Sequence, residues 1–401
     1  MALVVGCSDQ APEASPPTSV AGTAGELGAA APATGEPIRI GVITDGKSPV
    51  SDTSIQTRVA EATAAYLNQH RSGIGGRPIE LVECDALADP AVGTDCGNRM
   101  IEEDVVAVVV GTTAVNESVW LPLAAADVPV MFYGASGTAL LGDETTFALS
   151  EPTFSLVSLP ISLAEQAGAD KVTSIVIDVP AALTTQTTVA PALFEAAGIE
   201  FELVTVPPGT ADMTPQMQNV ADGDPGVVFI VGNDSFCISA INGLRAAGFT
   251  GQLSGVSQCV TDATREAVPG EELEGMVIAA ATPTGVDNPS TRLYEAVVDA
   301  YGEDIDTSVP EGMIMFTALA GFQTALEGIS GDDVTHETVI ETIKSMPEQE
   351  LPGAGGMHFR CNGKAGATTP AVCVRGGLVT TLDAEGRPST YEVLGSTPIE
   401  D

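Results

Sequence analysis

Two apolar runs, each closing on a small hydroxyl-bearing turn, constrain this chain more than any other feature. The first is Val105-Val106-Ala107-Val108-Val109-Val110-Gly111-Thr112-Thr113; the second is Val128-Pro129-Val130-Met131-Phe132-Tyr133-Gly134-Ala135-Ser136-Gly137. Short, β-branched and bounded by turns, each reads as a strand buried on both faces of a parallel sheet. Residues 114–127 between them suffice for one crossover helix. In an open parallel sheet, ligands gather outside the carboxyl ends of the strands. The turns Gly111–Thr113 and Gly134–Gly137 therefore belong side by side on one edge. Their glycines admit close approach of backbone N–H groups, and Thr113 and Ser136 add hydroxyls. An anionic group such as a carboxylate, held by amides and a helix start, is the expected guest.

The same alternation extends along the chain. Strands are expected at Ile38–Ile43 and Ile79–Cys84, with an amphipathic helix over Ile55–His70 and a second from Asp89-Pro90 to about Glu103. A second set starts at the strand Val172–Asp178 and continues through a helix ending at Gly198. It goes on with strands at Ile199–Val206 and Gly226–Val231, then a helix ending at Phe249. Short strands follow near residues 251–255 and 275–281, then helices over 289–301, 311–329 and 334–344. The tail from Met357 to Leu394 carries strand signals. This is an α/β pattern of two doubly wound, Rossmann-like lobes, whose facing turn edges make a natural small-molecule cleft.

Charge narrows the partners. With 15 basic against 54 acidic residues, the net charge of −39 excludes a nucleic-acid footprint and argues against adsorption to an anionic membrane surface. It reads as a solvated acidic surface. Six of seven cysteines fall into neighbouring pairs, Cys84/Cys96, Cys237/Cys259 and Cys361/Cys373, without CxxC spacing. Proximity suggests three local disulfides and an oxidising compartment, although six cysteines admit 15 connectivities. The seventh follows Val4-Val5-Gly6, which resembles a bacterial lipobox. Residues 1–7 are accordingly read as a truncated lipoprotein signal with Cys7 as the lipidation site, and residues 8–36 as a disordered tether.

Enzyme signatures are not found. GxGxxG after a strand, HExxH and GxSxG are absent, and no phosphate-binding loop is read. His70, His336 and His358 stand apart from any candidate nucleophile, and no metal-ligand spacing occurs. No catalytic residue, metal or cofactor is expected.

Several stretches, in order, resemble a known family. They are Ile40–Ile43 with Ser48-Pro49-Val50, Gly73-Ile74-Gly75-Gly76-Arg77-Pro78, Asp89-Pro90, Val109–Thr113, Pro129–Leu140 and Leu244–Phe249. The pattern resembles the type I periplasmic solute-binding proteins of ABC transporters, in particular the branched-chain amino-acid (leucine/isoleucine/valine) group. The resemblance implies two lobes joined by three crossovers, residues 37–153 with 281–355 and residues 154–280 with 356–401, closing on a ligand by hinge motion. It implies that Thr113, Gly134, Ala135 and Ser136, beside Thr112, Ser48 and Asp52, meet the ligand's carboxylate. On the second lobe a family tyrosine falls in Val179-Pro180-Ala181-Ala182, after Asp178, and another falls at Asn233. The glutamate that neutralises an amino group falls near Ser257, so Asp178 or Asp234 would have to replace it.

The function expected is an extracytoplasmic, lipid-anchored binding subunit that captures a small amino-acid, amide or carboxylate solute and delivers it to an ABC permease and ATPase. The alternative is a ligand-binding sensory domain feeding a signalling partner.

Overall fold

The computed structural model describes residues 25–48 and 51–401. Cys7 and the start of the tether lie outside them.

The first lobe is built on β1 (Ile38–Thr44), β2 (Ile79–Asp85), β3 (Ala107–Val110), β4 (Val130–Phe132) and β5 (Thr146–Ala148). They form one sheet in the order β2-β1-β3-β4-β5, parallel throughout. Every residue of β3 and β4 is buried, as continuous apolar runs in a helix-covered parallel sheet require. The crossovers are α1 (Ile55–His70), α2 (Pro90–Glu102), α3 (Asn116–Ala125) and the single turn α4 (Thr138–Leu141). Asp89 caps α2 by accepting from the amides of Ala91 and Val92, with Pro90 in its first turn.

A π turn at Phe154–Ser158 runs into α5 (Leu159–Ala167) and opens the second lobe. Its parallel strands are β6 (Lys171–Ile177), β7 (Glu200–Val206), β8 (Val227–Val231), β9 (Leu253–Gly255) and β10 (Val277–Ala279). Between β6 and β7 the sequence suggests one helix, but there are two, α6 (Pro180–Thr188) and α7 (Ala190–Ala197). Pro191 explains the break: it has no N–H to donate, and its ring clashes with the carbonyl four residues back. The unit then continues through α8 (Thr214–Asp222), α9 (Asp234–Ala246), α10 (Asp262–Ala267) and the turn α11 (Gly270–Leu273).

The chain returns to the first lobe with α12 (Pro289–Tyr301), α13 (Pro310–Ala325) and α14 (His336–Ser345). Fourteen of the sixteen residues of α13 are buried, so it is a core helix lying between the sheet and α1. After the hairpin strands β11 (Gln349–Glu350) and β12 (His358–Phe359), the chain crosses a last time to β13 (Gly377–Leu382) and β14 (Pro388–Leu394). These extend the second sheet to β14-β13-β10-β9-β8-β6-β7, with β13 and β14 antiparallel to their neighbours.

Two stretches lie elsewhere than the sequence division suggests. Met357, Phe359, Cys361, Val372 and Cys373, in a tail the resemblance gives to the second lobe, pack in the first lobe's core. The Ala148 amide donates to the Ala371 carbonyl and the Cys373 amide to the Ala148 carbonyl, which covers the open edge of β5. Residues 26–36, read as tether, are held down. Leu27 is buried, and the amides of Ala31, Ala33 and Thr34 donate to the carbonyls of Gln69, Asn68 and Gly76.

Three disulfides join Cys84 to Cys96, Cys237 to Cys259 and Cys361 to Cys373. Among the described residues no helix is long and apolar enough to cross a membrane.

Candidate functional site

β3 and β4 pair in register, Val110 opposite Phe132, so their terminal turns leave the first sheet side by side. The Tyr133 amide donates to the Val110 carbonyl and holds the two turns together. A Cβ at Gly111 would push on the Gln56 amide and the Met315 methyl, so a larger residue there would displace the side chain that holds Thr112.

An anion does lie in the amide-and-hydroxyl nest at Thr113–Ala114, and it belongs to the protein. Asp45, buried just after β1, accepts from the Thr113 hydroxyl at 2.7 Å, the Ala114 amide at 2.8 Å and the Ala88 amide at 3.1 Å. The Thr113 oxygen also accepts from the Val115 amide at 3.2 Å. Its one proton is therefore committed to Asp45.

Thr112 is placed differently. Gln56, fully buried on α1, accepts from the Thr112 amide at 2.9 Å. Its own amide group donates to the Thr112 hydroxyl at 2.9 Å and to the Glu311 carbonyl at 3.0 Å. The Thr112 oxygen is thus oriented as an acceptor, which leaves its proton for an acceptor outside. Ser136 is exposed and lines a crevice of about 340 Å³ against Asn116 and Glu117 at the start of α3. Gly137, at φ 101°, allows the Glu117 carboxylate to lie over the turn.

The loop after β1 forms its own small hairpin. The Ser48 hydroxyl donates to the Ser51 carbonyl at 3.0 Å, and Lys47 pairs with Asp52 at 3.6 Å. The Ser54 hydroxyl and amide both donate to Asp52 and hold its carboxyl below the usual aspartate range. Gly41–Ser48 also spells the spacing of a phosphate-binding loop, GxxxxGK[ST], which the motif reading passes over. The geometry is not that of one. Gly41 lies inside β1, Lys47 is exposed on the hairpin, and the next helix starts only at Ile55.

On the second lobe the corresponding edge carries Asp178 after β6, Asn233 and Asp234 at the head of α9, and Ser257 after β9. Asn233 caps α9 by accepting from the Phe236 amide at 3.1 Å, and Asp234 accepts from the Ser235 amide. Asp178 and Ser257 are exposed. The Cys237–Cys259 disulfide ties the Ser257 turn to α9.

The two edges face one another across the crossovers. A cavity of about 330 Å³ runs between Tyr133 and Ser150 of the first lobe and Ser257 and Leu378 of the second. The Tyr133 hydroxyl donates to the Ala281 carbonyl of the middle crossover, and burial pushes this phenol far above the ordinary tyrosine value. Glu151, on the first crossover, accepts from the Thr153 and Ser158 hydroxyls and, at 3.0 Å, from the Gly376 amide of the third. One carboxylate thereby joins two of the three strands on which the lobes would bend.

A family model described as periplasmic binding protein matches residues 37–377. The chain belongs to that family. It is one of extracytoplasmic solute-binding proteins, and the two-lobed, three-crossover α/β architecture is its type I form. Among relatives of this binding protein, the Leu/Ile/Val-binding protein homolog 6 of Brucella suis is 24% identical over 294 residues, 70% of this chain and 74% of the relative. A putative branched-chain amino-acid ABC transporter protein from Rhodospirillum rubrum superposes with a TM-score of 0.71 at 15% identity, covering 89% and 99% of the two chains. LivJ from Streptococcus pneumoniae, solved with isoleucine, gives 0.59 at 16% identity over 89% and 99%. A solute-binding protein from R. palustris, solved with 4-hydroxybenzoate, gives 0.61 at 20% identity over 90% and 98%.

The binding protein thus brings Thr112, Thr113, Gly134, Ala135 and Ser136 to one edge, and Asp178, Asn233, Asp234 and Ser257 to the edge of the other sheet. Of these, Ser257 lines the cavity between the lobes. Ser48 and Asp52 are engaged within their hairpin. Sequence reasoning missed Asp45, Gln56, Tyr133 and Glu151. Two carried a signal: Asp45 follows the β1 run at the same sheet edge as Thr113, and Gln56 is a polar residue on the buried face of an amphipathic helix. His70 and His336 are bound to structural partners, Tyr301 and the Val105 carbonyl.

Proposed function

We propose that this chain is the solute-capturing subunit of an ABC importer, held outside the membrane by lipid on Cys7, and that it passes its solute unchanged to a permease and ATPase. The observation that carries this reading is the pair of open donors at the first-lobe edge, the Thr112 proton and the Ser136 hydroxyl, beside the amides of the Gly134–Ser136 turn. Those groups suit a carboxylate or amide oxygen. The family resemblance sets the glutamate that neutralises an ammonium near Ser257, and Ser257, exposed here, carries no charge. The solute is therefore a small carboxylate or amide, and an amino acid is taken only if Asp178 or Asp234 meets its ammonium group. Isoleucine and 4-hydroxybenzoate, bound by two of the structural neighbours, share a carboxylate and differ in the amino group.

A thermal-shift screen across small carboxylates, amides and amino acids tests the reading. A stabilising solute whose affinity falls in Thr112→Val and Ser136→Ala supports it. Absence of any shift across the panel would sink it.

A further inference from the structure

Beyond Leu394, where β14 ends, residues 395–401 leave the second lobe and lie against the first. They form no helix or strand, and all but one are exposed. The exception is Ile399, 3% exposed. An irregular segment of this kind keeps one position only where contacts tie it down.

Those contacts stand on first-lobe ground. The Ile399 amide donates to Glu348, between α14 and β11, at 3.2 Å. Arg360, flanked by Phe359 and Cys361 of the first core, donates to the Asp401 carboxylate at 2.6 Å and to the Ile399 carbonyl at 3.3 Å. Asn362 donates to the Glu400 carbonyl at 2.7 Å. Arg375 holds both carboxylate oxygens of Glu400, at 2.7 and 3.3 Å, and the Pro398 carbonyl at 2.7 Å. The Cys361–Cys373 disulfide closes the loop that Arg360 and Arg375 flank. Basic residues number 15 against 54 acidic ones in this chain. Three of them, Arg360, Lys364 and Arg375, converge on this one segment.

The segment passes over the third crossover at Gly376. Leu394 pairs with Gly377 in the ladder of β13 and β14. A Cβ on Gly376, at φ 75°, would strike the Leu394 carbonyl and the backbone of Gly395 and Ser396. The Gly376 amide is also the one that donates to Glu151 on the first crossover. Two crossovers and this segment therefore meet at one point.

We propose that residues 395–401 are a strap, a fourth and non-covalent connection between the lobes, which narrows the range of angles the lobes sample about their crossovers. The root of the strap moves with the second lobe through β14. Ile399 moves with the first through Glu348 and Arg360. Hinge bending must then bend the strap or draw Ile399 from its seat. The strap rests on the two-lobed architecture alone and does not depend on what the cleft takes.

Pulsed electron–electron resonance tests this in the solute-free chain carrying Cys7→Ser. Nitroxides go on Glu102→Cys at the end of α2 and Glu195→Cys on α7, both exposed helical positions in different lobes. A chain ending at Gly395, and separately Ile399→Asp, should broaden the interlobe distance distribution by roughly half or more. Glu327→Gln breaks the Arg71–Glu327 pair within the first lobe and should leave the width as it is. An unchanged width in the shortened chain overturns the strap, as does equal broadening in Glu327→Gln. If the shortened chain does not fold, Ile399→Asp decides alone: a broader distribution with a cooperative melt supports the strap, and an unchanged width overturns it.

Discussion

The two lobes share one plan and finish it differently. Five parallel strands run β2-β1-β3-β4-β5 in the first and β7-β6-β8-β9-β10 in the second, the same winding order in both. At the first-lobe edge the polar groups are knit from beneath. Asp45 holds Thr113 and Ala114, and Gln56 holds Thr112 against the head of α13. At the second-lobe edge Asp178 and Ser257 are exposed, Asn233 and Asp234 bond only to their own helix start, and a disulfide supplies the rigidity. A polar network positions donors before a solute arrives, and a covalent tie fixes a loop without dictating what it offers. On the proposed function, the first lobe orients a guest and the second varies with it.

Four experiments would break or sharpen that contrast. The largest effect belongs to Asp45→Ala, which orphans the buried Thr113 hydroxyl and the part-buried amides of Ala88 and Ala114, and should cost about 3 kcal/mol. At the other edge Asp178→Ala, at an exposed position, should stay within about 0.5 kcal/mol and Asp234→Ala, half-buried at the start of α9, within about 1 kcal/mol. Urea unfolding reads all three, and equal costs would erase the distinction. Next, replacing Cys237 and Cys259 together by serine opens a loop whose ends are 22 residues apart. Chain entropy puts the loss at about 3 kcal/mol, read by the same unfolding curves, and solute affinity should fall with it.

Within the first edge, the two neighbouring threonines should separate. Thr113→Val should lower stability by about 1–2 kcal/mol, because Asp45 loses a donor. Thr112→Val takes one acceptor from the buried Gln56 amide and should cost about 1 kcal/mol of stability, and it should also weaken solute binding by roughly 1–3 kcal/mol if its proton meets a charged group. Calorimetry showing the reverse would return the binding role to Thr113. The smallest effect is in acid. The Ser54 donors depress the Asp52 carboxyl in the folded state. The stability this contributes is present above the unfolded value and is lost as pH falls through the depressed one. The Lys47–Asp52 hairpin should therefore hold through the ordinary aspartate range and loosen only below it. An NMR titration in which Asp52 behaves as a model aspartate would remove that contribution.

Much of the scaffold was legible because the signals are local. Buried parallel strands announce themselves as β-branched runs, and Asp89-Pro90 and Gly198 mark helix ends by their own chemistry. The edge was legible as a place, since Gly111–Thr113 and Gly134–Gly137 must emerge together. Its hydrogen bonds were not. Whether Thr112 or Thr113 keeps a proton for a ligand depends on Asp45 and Gln56, both more than fifty residues distant in sequence. The covering of β5 by residues 371–373 was hidden for the same reason: nothing near Ala148 says which part of the chain returns to it.

That returning segment has a consequence for biogenesis. The first lobe's sheet keeps an unpaired border until residue 373 has emerged, after the five parallel strands of the second lobe have been made. Neither half can be completed alone, and a nascent chain halted before Cys373 would carry an open β5 next to a second sheet still lacking β13 and β14. Closure of the first sheet therefore waits on residues 371–373, which follow nearly all of the second lobe in the chain.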